Sequence, residues 1–161
     1  MKRLTAVLSA LFVLACFLPV LEGSEVFRVM MPSKNKERYY QRLRNMRLNS
    51  PENPELSYQL ANFFYAEKMY DVAVEEYRRV LKLSPEHAGA KYFLSESLLK
   101  MKYYEEAFWL VRDLISNDKE NAELYYKAGE ILEKMGEHMA AKQYFKKSDE
   151  LVFGDIPGFR K

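Results

Sequence analysis

The sequence predicts an all-α protein, a solenoid of three stacked helical hairpins preceded by a capping helix. Three observations predict it. Ala73, Ala107 and Ala141 recur at a spacing of 34 residues, and Tyr77, Val111 and Phe145 follow each of them by four. Upstream, Leu60, Leu94 and Ala128 keep the same interval, each followed by a small residue, Ala61, Ser95 or Gly129. Phe64, Leu98 and Leu132 complete a register that needs no gap. A fixed period of this length marks stacked supersecondary units that bury their apolar faces against neighbours.

Residues 1–24 stand apart from the repeats. Lys2 and Arg3 form a basic start, and residues 4–21 carry no charge. Pro19 breaks the run and Gly23–Ser24 supplies small residues, the order of a secretory signal peptide cut after Gly23. Two alternatives stay open. The run is near the lower length limit for a retained spanning anchor. Val13–Leu14–Ala15–Cys16 has the layout of a lipidation box that would modify Cys16, although Leu14 is bulky for it. A product cut after Gly23 is periplasmic or secreted; a retained or lipidated one is membrane-anchored. Residues 25–33 read as a linker.

Residues 34–50 hold a basic helix with Lys34, Lys36, Arg38, Arg42, Arg44 and Arg47 against Glu37 alone. Its phase continues the period backwards: Tyr39 lies 34 before Ala73, Leu43 before Tyr77 and Pro51 before Pro85. It therefore reads as a second-type helix with no first helix of its own, a cap for the end of the stack. Its basic face also allows contact with anionic lipid heads.

The first hairpin occupies residues 54–87. Asn53 is a good N-cap and Pro54 suits a first helical turn. Met69–Tyr70–Asp71 is the expected turn, and Ser84–Pro85 stops the second helix, since proline disfavours a helical residue before it. Leu60, Phe64, Ala73, Tyr77, Val80 and Leu81 recur at helical spacing. Residues 88–121 and 122–155 repeat the plan, and residues 156–161 form a tail. At Ala73 and its equivalents a methyl group lets the two helices of a hairpin approach closely.

The pattern resembles the tetratricopeptide repeat, which reads large-x-x-Leu-small-x-x-aromatic, then Ala-x-x-x-aromatic and a closing proline. The first unit supplies Leu60, Ala61, Phe64, Ala73, Tyr77 and Pro85. The second supplies Leu94, Ser95, Leu98, Ala107 and Val111, and the third Gly129, Leu132, Ala141 and Phe145. Ser57, Lys91 and Tyr125 replace the family's early tryptophan, and Lys119 and Phe153 its closing proline. The resemblance implies a right-handed superhelix whose first helices line a concave, peptide-binding groove. It implies a protein–protein interaction scaffold resembling small exported bacterial envelope proteins of this family, whose partner is another protein.

Transferred by register, the groove sites are Glu55, Gly89 and Glu123; Tyr58, Tyr92 and Tyr126; Asn62, Glu96 and Glu130; and Tyr65, Leu99 and Glu133. They form a tyrosine stripe that turns acidic toward the third unit. Converging glutamates repel one another unless a cation relieves them. Some family members clamp an acidic C-terminal tail with lysines and asparagines. Here the corresponding sites carry Tyr58, Asn62, Phe93, Glu123 and Lys127, so a basic or apolar segment is the expected ligand. Two other readings remain: a structural subunit that self-associates or packs into a larger assembly, and a membrane-surface module acting through the basic helix.

Composition points away from chemistry. The net charge of +2 gives no bias toward nucleic acid, and none is expected as a partner. His87 and His138 lack the spacing of metal ligands, and Cys16 is the only cysteine. Six glycines, scattered, offer no phosphate loop. Glu75–Glu76 and Glu105–Glu106 read as solvated faces. No enzyme, cofactor or metal is expected.

Overall fold

A computed structural model describes residues 34–154. The signal or anchor segment, Cys16, the linker and the tail lie outside the described residues. Among the described residues all regular structure is helical: α1 (Lys34–Asn49), α2 (Pro54–Ala66), α3 (Tyr70–Leu83), α4 (Ala88–Lys100), α5 (Tyr104–Asn117), α6 (Ala122–Met135) and α7 (His138–Phe153). None of these is long and apolar enough to cross a membrane.

The chain divides into two compact units, residues 1–42 and 43–161. The described part of the first is the N-terminal half of α1. Its Gln41 amide donates to the Glu37 carboxylate one turn earlier, at 3.0 Å. The second unit starts with Leu43, which is buried, as its register with Tyr77 predicts. It continues as three hairpins, α2–α3, α4–α5 and α6–α7, stacked in sequence order into a solenoid.

The repeated positions make the core. Ala73, Ala107 and Ala141 are fully buried, as are Tyr77 and Val111. Leu60, Leu94, Ala128, Phe64, Leu98 and Leu132 are buried around them. The small residue after each Leu or Ala is a contact point: a Cβ on Gly129 would lie 2.6 Å from the Phe145 ring, so the bare backbone admits that ring.

Loop chemistry repeats as well. Asn53, His87 and Asn121 are the N-caps of α2, α4 and α6. The Asn53 side chain accepts from the Glu55 N–H, and His87 Nδ1 accepts from the Ala90 N–H at 3.1 Å. His87, which lacks metal-ligand spacing, is therefore a structural cap. In the first hairpin the turn falls slightly earlier than expected, on residues 67–69, and Tyr70 already belongs to α3; the turns of the other two hairpins repeat its geometry. The central residue of each adopts a left-handed backbone, at Lys68 (φ 62°), Lys102 (φ 66°) and Gly136 (φ 83°). The next N–H in each case closes back on the preceding helix: Met69 on Phe64, Tyr103 on Leu98 and Glu137 on Leu132, all at 2.9 Å. This is a left-handed helix C-cap that satisfies otherwise orphaned carbonyls.

One expectation on the outer helices is corrected. Glu76 is buried, not solvated, because the guanidinium of Arg47 on α1 reaches it and Arg79 lies 3.5 Å away. Its neighbour Glu75 and the pair Glu105–Glu106 are exposed; Glu106 accepts from Arg78 of the preceding hairpin at 2.8 Å.

Candidate functional site

Of the residues predicted for the groove, Tyr65 meets Glu96 and Tyr92 meets Glu123 along the first helices α2, α4 and α6, through pairs that lie 31 residues apart. That offset is one repeat less one helical turn, so a residue late in one first helix meets a residue earlier in the next. Tyr65 Oη reaches Glu96 Oε2 at 3.5 Å. Glu96 Oε1 lies 2.9 Å from the ammonium of Lys127, which also contacts Glu130 Oε2 at 2.7 Å. These four side chains form a polar ladder across all three units. A second rung joins Tyr92, which donates to Glu123 Oε1 at 2.7 Å. Asn62 is tied inward, accepting from the buried Tyr77 hydroxyl at 2.7 Å.

An aromatic cluster supports the N-terminal half of this face. Tyr58 lies against the His87 ring, with centroids 4.6 Å apart. Tyr65 meets Tyr70 and Phe93 edge-on, and Phe93 stacks on Tyr77. Tyr58, Tyr65, Tyr92 and Leu99 are half-buried, so they both pack and present a surface. Tyr126 is different. It is 52% exposed, resting on the Phe145 ring at 5.3 Å. Toward the end of α6, Glu133 pairs with His138 at 3.0 Å.

The electrostatics revise the expected repulsion. Lys127, weighed in the sequence only as a tail-clamp residue, is the cation that relieves Glu96 and Glu130. Burial disfavours its charge, but the hydrogen bonds to Glu130 and Glu96 outweigh burial and hold its pKa above the ordinary lysine value. Burial, reinforced by Glu123, pushes the Tyr92 hydroxyl up to about 12. Burial and Glu96 raise Tyr65 in the same direction. Both phenols therefore remain hydrogen-bond donors at neutral pH. Glu55, Glu96, Glu123, Glu130 and Glu133 stand against Lys127 and, at the rim, Lys100 and Lys134, so the face stays net negative.

Lys127 and Phe93, which the sequence placed only at tail-clamp sites, pair here with Glu96, Glu130 and Tyr65, and Tyr70 and His87 join them unannounced by the period. The 31-residue offset is the signal that would have found Lys127. Among the described residues no group of three or more His, Cys, Asp or Glu side chains is arranged to hold a metal ion.

A family model described as Anaphase-promoting complex, cyclosome, subunit 3 matches residues 33–114, half of the chain. A second, Tetratricopeptide repeat, matches residues 122–151. The chain belongs to the tetratricopeptide-repeat family. No curated protein matches the sequence. Among solved structures, similarity extends to a MamA RS-1 double mutant at 25% identity and a TM-score of 0.69, covering 72% of this chain and 65% of that one. It extends also to MamA from Desulfovibrio magneticus RS-1, beginning at residue 41, at 24% identity and TM-score 0.69, covering 73% and 67%. A third, MamA AMB-1, has 22% identity and TM-score 0.69, with 73% and 70% covered. The chain thus spans about two thirds of the length of these structures, and identities this low carry the fold. A tetratricopeptide solenoid is a scaffold for protein–protein interaction, and that is the class to which this protein belongs.

Proposed function

We propose that the protein binds an extended, net basic or apolar peptide segment along the face of α2, α4 and α6, and that it does so in the cell envelope. One observation supports the binding mode above the others: the face is net negative, and its hydroxyl and carboxylate groups are already ordered by rungs between repeats. A groove that is ordered before binding loses little side-chain freedom on binding. Tyr126, exposed beside Glu123 and Glu130, is the aromatic contact, with large area and few rotatable bonds. The glutamates steer a basic partner toward it and act mainly on the association rate.

Selection from a displayed library of random peptides tests the binding mode. The peptides recovered should be net basic or apolar-aromatic, and Tyr126→Ala should weaken them by about tenfold. Glu133→Lys should slow association and flatten its salt dependence. Peptides that bind both variants as they bind wild type, and are lost instead on Trp109→Ala of α5, would place the interaction on the second helices.

The location rests on the basic start, the uncharged run and Gly23–Ser24. N-terminal sequencing of the protein from fractionated cells should give a chain beginning at Ser24. A start at a modified Cys16 would make it a lipoprotein, and an unprocessed chain recovered from the cytoplasm would remove the envelope assignment.

A further inference from the structure

A recess opens where the second and third hairpins meet, at the N-terminal ends of α4 and α6, with a volume of about 600 Å3. That is within the range of sites that enclose small organic groups, about 300–1,000 Å3. Leu114 and Leu124 wall it with apolar surface. Gly89 also lines it, and a Cβ there would lie 2.7 Å from the Tyr58 hydroxyl, so Tyr58 takes the place a side chain would fill.

Its charge is one-sided. Lys91 is buried with its ammonium 3.0 Å from Glu86 and 2.6 Å from Asp113. The hydrogen bond to Asp113, aided by Glu86, outweighs burial and raises its pKa, so the lysine stays charged. Two carboxylates on one ammonium leave that cluster net negative. Asp118 and Glu123 also line the recess and add to it. The site is apolar inside and negative at its edge, and Tyr92 and Glu123 belong both to it and to the face of the first helices.

We infer that this recess is an anchor subsite for an apolar residue followed by a basic one, lysine or arginine, within the peptide that lies on the first-helix face. The inference rests on that peptide-binding reading and gives it a sequence preference. The apolar side chain covers Leu114 and Leu124, and the cationic one meets the carboxylates. An acidic residue at the second position meets the same charges with the wrong sign and is rejected.

The test uses the dipeptide N-acetyl-Leu-Arg-amide, titrated into the full-length, isotope-labelled protein and followed by amide chemical shifts. Saturating shifts are expected at Gly89, Leu114 and Leu124, and none with N-acetyl-Leu-Glu-amide. Ala88 lines the recess at the exposed first position of α4. Ala88→Trp should fill the space and weaken the arginine dipeptide by about tenfold while leaving shifts in α2 and α7 in place. No saturating shift at those three amides, equal shifts with the glutamate dipeptide, or indifference to Ala88→Trp would overturn the subsite. If the dipeptide fails while selected long peptides still depend on Tyr126, the recess alone falls. If it binds as expected while long peptides ignore Tyr126→Ala, the recess stands and the first-helix reading falls.

Discussion

At Ala107 a single methyl group sets the distance between α4 and α5. The residue is fully buried, and its equivalents Ala73 and Ala141 are too. Ala107→Leu forces three more carbon atoms into that crossing and should cost about 1–3 kcal/mol. Thermal unfolding followed by circular dichroism reads this as a lower midpoint; an unchanged midpoint would remove Ala107 from the contact. Lys102 makes the opposite prediction. Its backbone is left-handed, which a β-carbon disfavours by roughly 1–2 kcal/mol, whereas glycine adopts it freely. Glycine also gains freedom in the unfolded chain, so Lys102→Gly should stabilise by about 0.5–1 kcal/mol, seen as a higher urea midpoint. A destabilised variant would show that the Lys102 side chain contributes more than its backbone costs. These two residues show what sequence reveals. Ala107 was legible because its size requirement repeats every 34 residues. The left-handed turn was not, because two of its three occurrences use lysine where glycine would have announced it.

At the scale of the helices, most boundaries were legible from Asn53–Pro54, Ser84–Pro85 and the apolar phase. What sequence did not give is which charged residues become partners between helices. Glu76 looked like half of a solvated pair, yet α1 buries it with Arg47. Lys91, at the position where the family has tryptophan, fills that buried place by pairing with Glu86 and Asp113. Such pairs depend on the angle between helices, which a one-dimensional period does not encode. Arg47→Ala should leave Glu76 with Arg79 alone, at 3.5 Å, and cost about 2 kcal/mol. Hydrogen exchange of the amides of residues 43–49 should quicken well before that of α4 and α5. Uniform exchange across the helices would mean that α1 is held by Leu43 without help from the ion pair.

At the scale of the whole array, the burial of tyrosine hydroxyls, with the rungs between repeats, makes stability depend on pH in one direction. The Tyr92 pKa rises from 10.0 to about 12 on folding, and Tyr65, Tyr77, Lys91 and Lys127 are also raised. A raised folded value means that the unfolded chain loses its proton first as the pH climbs. The stabilisation is therefore complete below about pH 10 and drains away between about 10 and 12 for Tyr92. Urea midpoints should be level up to about pH 9.5 and fall above it. A level midpoint through that window would remove the burial of Tyr92 and its bond to Glu123 from the stability of the array.

The period also defined the face of the first helices: Tyr58, Tyr92, Tyr126, Glu96 and Glu130 all stand on it. Its detailed chemistry emerged only from the 31-residue offset, which turns a row of glutamates into a ladder relieved by Lys127. Site-specific photo-crosslinking addresses the central claim, that this face takes an extended peptide, most directly. A photoreactive residue in place of exposed Tyr126 should crosslink a selected basic peptide, and one in place of exposed Trp109 on α5 should not. Crosslinking from position 109 with none from position 126 would contradict the account and move recognition to the second helices.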